Sequence, residues 1–326
     1  MNRRSVYVAL IFIGLVAFPF RSPAPLTFVP GEGWTYETPG TKGGWQRTRA
    51  KDQLEVAQEA LNNKDHRLAL KAARRTVKVW PLSDYAPQAQ YLVGRAYEAR
   101  GQDEKAFKAY QQVIEKYPKI DSYQEIVQRQ FEIATRFLDG QRFRLWGIIP
   151  FFPSMEKTAE MYAKILKNGP YSPIAPEAQM NIGAAREKQS NYPLAVKAYE
   201  RAADRYNDRQ EVASEAVFKA GLAYNKQAKT GEYDQSIAAQ AIATFTDFMA
   251  LYPNDNRVPE AQGLIKTLKV EQARGSFKTA KFYEKYKKWD GALIYYNEVL
   301  LKDPESQLAA TARERIDALK KRVGQK

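Results

Sequence analysis

The chain has 326 residues, 44% apolar and 27% charged, with a formal net charge of +14 and no cysteine. That apolar share is enough for a large folded body, and the missing thiol excludes a disulfide framework, a thiolate metal site, a Cys nucleophile and a lipid on an N-terminal Cys. The excess of cations suits anionic lipid or an acidic protein face; Lys and Arg cluster only at 266–288 and 320–322 and are elsewhere interleaved with Glu and Asp, so nucleic acid is not expected as a partner.

At the N-terminus, Arg3 and Arg4 precede an apolar run over 6–20. Its length is that of a signal h-region and short of the ~20 residues a spanning helix needs. Two readings stand for residues 1–24: a cleaved signal peptide, or a retained N-terminal membrane anchor. Either one implies export. Residues 25–46 are rich in Pro and Gly and read as an extended tether. Trp34, Tyr36 and Trp45 within it either pack on the following domain or dock a partner. No segment reads as an alternating strand.

Residues 47–326 repeat one pattern. Gly94, Tyr97, Ala106 and Tyr110 lead to Tyr117 and Pro118. That is the tetratricopeptide spacing of about 34 residues, in which each unit is a pair of antiparallel helices. The small residues let the helices approach, the aromatics fill the gap and the Pro ends the second helix. Gly183, Ala195, Tyr199 and Ala202 repeat the register, as do Ala280, Tyr283, Ala292, Tyr296 and Pro304. Ala57, Ala60, Ala69 and Pro81 form a degenerate first copy. Gly221, Tyr224, Ala241, Phe245, Phe248 and Pro253 form a copy with a lengthened turn. A further copy is broken, with helices near 124–137 and 155–167 around an apolar loop. The fold class is therefore an all-α tetratricopeptide-repeat solenoid, a right-handed superhelix of about six helix pairs. One unbroken helix is expected over roughly 259–286, because no Pro or turn pair interrupts it.

Catalytic signatures are missing. His66 is the one histidine and falls in a turn, and no metal spacing, phosphate-binding Gly loop or nucleophile elbow occurs. A non-catalytic binding protein without cofactor is expected. In stacked repeats the first helix of each pair lines the concave face. The register places Gln88, Tyr91, Arg95 and Glu98 there, then Glu177, Met180, Ala184 and Glu187, then Glu215, Phe218, Leu222 and Asn225, and finally Arg274, Phe277, Lys281 and Glu284. Aromatics mixed with both charge signs suit extended peptide; the same positions also serve packing between adjacent repeats. The segment 141–154 holds Trp146, Ile148, Ile149, Phe151 and Phe152 around Gly147 and two Pro. It either folds back over an edge of the repeats or meets a membrane or partner.

From Phe245 to Ile316 the chain resembles the C-terminal half of the BamD-type outer-membrane assembly lipoproteins. The residues that carry the likeness are Phe245 and Phe248, Tyr252-Pro253-Asn254, the long helix after Pro259, Tyr283, Trp289, Ala292 and Asp303-Pro304. The resemblance implies a periplasmic scaffold for the folding of β-barrel proteins into the outer membrane. It implies that the last repeats hold a barrel-containing partner through its periplasmic domains, with Lys269, Arg274, Lys278, Lys281 and Trp289 as contact candidates. It also implies that the earlier repeats receive unfolded outer-membrane clients, through Tyr91, Arg95 and Glu98. The family's lipidated Cys is absent. An exported repeat protein that coordinates envelope constriction with wall synthesis is the alternative of similar build.

Overall fold

The computed structural model describes residues 26–29, 33–36, 44–145, 149–150, 153–229 and 235–323. Thirteen α-helices account for most of these residues. By its internal contacts the chain divides into two compact units, one ending at Ile133 and the other beginning at Ala134.

The first unit holds α1 (Ala50–Asn62), α2 (His66–Val79), α3 (Ala86–Ala99), α4 (Asp103–Lys116) and the start of α5 (Tyr123–Leu138). α1 packs on α2, α2 on α3 and α3 on α4. Ala50, Ala57, Ala69, Ala72, Ala73, Ala86, Ala89, Ala96 and Ala106 are fully buried and let the helices close on one another, while Trp80 and Tyr110 fill the space between. The second unit continues with α6 (Met155–Asn168), α7 (Ala175–Lys188), α8 (Tyr192–Arg205), α9 (Gln210–Ala228), α10 (Gln235–Leu251), α11 (Val258–Lys285), α12 (Trp289–Lys302) and α13 (Gln307–Val323). From α6 onward each helix again packs on its successor. The pairs of the register are α1–α2, α3–α4, α5–α6, α7–α8, α9–α10 and α11–α12, and α13 follows them.

The glycine of the register has a steric cause. A Cβ at Gly94 or Gly183 would collide with the ring edge of Tyr110 or Tyr199, and at Gly221 it would lie 2.7 Å from Phe245. Each ring is fully buried. Four residues after the small position, Glu98, Glu187 and Glu284 cap the tyrosines. Tyr110 donates to Glu98 at 2.7 Å and Tyr296 to Glu284 at 2.7 Å, and Glu187 bonds Tyr199. In the Gly221 pair the ring is Phe245, with no hydroxyl to satisfy, and the carboxylate is replaced by Asn225. Burial and these carboxylates push the phenols of Tyr110, Tyr199 and Tyr296 far up.

The turns inside the pairs share a backbone device. Lys64, Gly101, Ser190 and Lys287 all sit at φ of 56° to 62°, the left-handed conformation that reverses the chain in two or three residues. Only Gly101 announces it in sequence. Both helices of the Gly221 pair are longer than those of the Gly183 pair: α9 has 19 residues and α10 has 17, against 14 in α7 and α8. The long helix is unbroken over 28 residues, through Gly263 and Gly275.

Two expectations need correction. The segment 25–46 is not simply extended: β1 (Leu26–Val29) pairs antiparallel with β2 (Gly33–Tyr36). Both strands carry the aromatic and β-branched residues that strands favour, and a Pro30-Gly31 turn signal lies between them. A second hairpin joins β3 (Arg144–Leu145) to β4 (Ile149–Pro150). Periods this short escape a search for alternation. The readings of residues 1–24 lie outside the described residues.

Next to the repeats the chain is anchored at Trp45, whose ring lies under the Lys71 ammonium at 4.5 Å and whose carbonyl accepts from Gln53. In the second unit Phe143 is buried and stacks on Phe137 at 4.1 Å, so the start of the 141–154 segment folds back on its own unit.

At the α9–α11 packing, Arg257 donates to both carboxylate oxygens of Asp255 and to Glu215 and Ser214, and lies 5.1 and 5.4 Å from the rings of Phe218 and Phe248. Its hydrogen bonds hold the Asp255 carboxyl at about 2, against an ordinary 3.8. A carboxyl depressed in the fold contributes stability that is full above its unfolded value and fades as pH falls through the folded one. Asp255→Asn is therefore expected to destabilise the second unit by a constant amount above about pH 4. That gap should narrow between pH 4 and 2 in chemical denaturation, and a gap unchanged down to pH 2 would refute the pairing.

Candidate functional site

The predicted groove residues of the first unit do come together. Gln88, Tyr91, Arg95 and Glu98 on α3 line a cleft of about 550 Å³ with Gln58 and Asn62 on α1, His66 at the start of α2, and Glu125 and Arg129 on α5. The side chains are cross-linked. Tyr91 donates to Glu125 at 2.5 Å; Arg95 and Arg129 donate to the Tyr91 hydroxyl at 3.0 and 3.3 Å; Arg129 bridges Glu125 and Glu98. The Tyr91 hydrogen bond holds the Glu125 carboxyl below its ordinary range. Burial foremost raises the Tyr91 phenol. Two cations and two carboxylates balance, so the wall offers donors and acceptors without net charge. Such a surface can bind a peptide backbone and polar side chains. His66 is half-buried at the rim, with Nδ1 lacking a partner.

In the second unit the groove residues separate. Glu177, Met180, Ala184 and Glu215 line a cleft of about 370 Å³ with Asn181, Arg209 and Lys219. Glu187 lies outside it, paired with Lys226 at 3.1 Å. Phe218 and Asn225 are corrections: both are buried and, unlike the equally buried Tyr91, neither lines the cleft of its unit. Phe218 packs against Phe245 and Phe248 in the core, because the register position that faces the groove in one pair faces the adjacent helix in this one. Phe277 is buried likewise against Tyr296.

On α11, Arg274, Lys278, Lys281 and Lys285 follow one another at helical spacing and are exposed. Among the described residues Arg274 is paired only with its own neighbour Glu271, at 2.8 Å. Lys269 is exposed too but falls off that stripe. Beside the stripe Phe282 and Tyr286 are 58% and 57% exposed, their rings 4.7 Å apart. Ile294 and Leu301 are exposed on α12. Trp289 is half-buried against the last core cluster, with Arg322 over its ring at 5.7 Å.

Residues 154–324 match the model of the YfiO family, described as outer membrane lipoprotein, and 88–119 match a tetratricopeptide-repeat model. The first of these matches covers more than half of the chain. The chain belongs to the YfiO family. This is the BamD-type family of the sequence reading, and it places the protein among repeat-built interaction scaffolds of the cell envelope. The chain matches no curated protein. Among solved structures it is similar to the C-terminal part of a repeat protein from Cytophaga hutchinsonii, at 13% identity over 81% of this chain and 87% of that one, TM-score 0.34. It is similar also to a tetratricopeptide repeat protein from Parabacteroides merdae, at 12% identity over 83% and 98%, TM-score 0.34.

Within the YfiO match, sequence reasoning had named Arg274, Lys278 and Lys281 but missed Lys285 and the exposed Phe282–Tyr286 pair. Their spacing of four residues next to Lys281 and Lys285 was the available signal. It had also missed Arg257, whose partners at 214 and 215 lie some forty residues away in sequence. Of the 141–154 candidates, Trp146, Ile148, Phe151 and Phe152 lie outside the described residues, and Ile149 is in β4.

Proposed function

We propose that the protein is a non-catalytic periplasmic scaffold for outer-membrane β-barrel assembly. Its last repeats hold a barrel protein through that partner's periplasmic domains, and the polar cleft of the first unit receives extended client polypeptide. The observation that carries the reading is the exposed face of α11, four cations beside an exposed aromatic pair, inside the segment that matches the YfiO family. A docking patch of this kind combines an apolar anchor with charges that steer encounter. Membrane association through residues 1–24 fits the same role.

The experiment is co-purification from solubilised membranes, with the wild-type chain and the Arg274→Glu/Lys278→Glu variant. The wild type is expected to recover a β-barrel protein with periplasmic domains. The variant should keep its helical circular dichroism and melting temperature, since exposed charge changes cost only about 0.5 kcal/mol. Its recovery of that partner should fall about tenfold, as for steering charges lost from a rim. Recovery of division or wall-synthesis proteins in place of a barrel protein would overturn the reading, and so would a variant that binds normally.

A further inference from the structure

We propose that a second cleft of the first unit, between α2, α3 and α4, binds an acidic extended segment of a partner protein. This cleft uses neither the α11 face nor the polar cleft around Tyr91. It encloses about 680 Å³, and six cations line it: Arg74 and Lys78 from α2, Arg100 at the turn, and Lys105, Lys108 and Lys116 from α4. No carboxylate is in the lining. Among the described residues none of the six makes an ion pair. The contrast with the Tyr91 cleft is direct, since there each Arg meets a Glu.

The shape fits a linear anion. Lys105, Lys108, Gln112 and Lys116 form one stripe along α4. At 1.5 Å per residue it runs about 16 Å, the length of about five residues of extended chain. Arg74 and Lys78 stand on α2 across from it. The floor is closed by Leu70 and Val93, both buried, and by Gln90, which donates to the Ala109 carbonyl and to Gln112 at 3.2 and 3.1 Å. Tyr97 fixes one end: Arg74 donates to its hydroxyl, and Arg74 and Lys105 lie 5.2 and 5.8 Å from its ring.

Two other anions fit less well. An acyl chain needs an apolar rim, and the lining exposes no large apolar side chain. A nucleic acid strand needs an open aromatic face for stacking, but Tyr97 is buried beside Arg74 and Lys105. A carboxylate-bearing peptide asks only for cations along a groove and amides at its floor, and both are present.

The test uses the full chain and a fluorescein-labelled Asp/Glu-rich octapeptide, with its Asn/Gln counterpart as control, at ~0.15 M salt. The acidic peptide should bind at least about tenfold more tightly than the neutral one. Lys105→Glu/Lys108→Glu should weaken it about tenfold or more, while Lys320→Glu/Lys321→Glu on α13, with the same charge change, should shift it less than about twofold. Circular dichroism of both variants reports whether they are folded; a cleft variant that unfolds is replaced by Lys105→Gln/Lys108→Gln, for which a several-fold loss is expected. Equal loss in the cleft and α13 variants would overturn the proposal, as a general charge effect. It would also fall if phosphatidylglycerol vesicles bind through Lys105 and Lys108 while the peptide does not.

Discussion

Arg257→Ala is expected to lower the stability of the second unit by about 3 kcal/mol, the range for a largely buried charge deprived of its partner. The guanidinium serves two purposes in one plane. Its nitrogens meet Asp255, Glu215 and Ser214, and it also lies against the rings of Phe218 and Phe248. Truncation leaves the Asp255 carboxylate, 14% exposed, without its cation, and uncovers two rings of the core. Arg257→Lys separates the contributions. Lysine keeps the charge but has neither the fork nor the flat cationic face, so it should restore less than half of the loss. Native-state hydrogen exchange over α9–α11 is the measurement, because it localises opening to the helices concerned. Protection in Arg257→Ala within about 0.5 kcal/mol of wild type would show the cluster to be a surface ornament.

Arg257 also marks what the sequence could not disclose. The repeat register was legible because it is local: Gly94 to Tyr110 and Gly183 to Tyr199 are the same distance apart, and the same physical need for close approach recurs in each pair. The 28-residue α11 was legible because nothing in it stops a helix. Contacts that join residues some forty positions apart have no such period, and Arg257 with Glu215 is of that kind. The groove was half legible for a related reason. A position on the first helix of a pair faces outward or toward the next pair according to the local packing, so Tyr91 brings its hydroxyl to a cleft while Phe218 disappears into a core. The basic cleft was hidden by mixing: Glu104 and Glu115 lie between its lysines in sequence, yet neither is in its lining. Sequence counts charges along a line, and the helix sorts them by face.

Gly183→Ala is the sharpest test of the repeat logic, with an expected loss of about 2–3 kcal/mol from overpacking. The added methyl would occupy space held by the Tyr199 ring, which is 1% exposed and tethered through its hydroxyl to Glu187. The ring has no solvent side into which to swing. Helix propensity works the other way, since Ala favours an interior helical position over Gly by about 1 kcal/mol; a net loss therefore shows that sterics win. The collision is with the ring carbons, so Tyr199→Phe should not relieve it, whereas Tyr199→Leu should. In a double-mutant cycle, Gly183→Ala and Tyr199→Leu are expected to couple favourably by more than about 1 kcal/mol. The α11–α12 pair shows that the position tolerates a Cβ when the pair is built for it: Ala280 and Tyr296 are both fully buried there. Ala280→Gly is accordingly expected to destabilise, by the lost methyl contact and the added backbone freedom, about 1 kcal/mol or more. Opposite responses to the same exchange at 183 and 280 would establish that each pair is matched to its own small residue. A stabilised Gly183→Ala would mean that the helices of α7–α8 separate freely, and that the glycine of the repeat is not required by close approach.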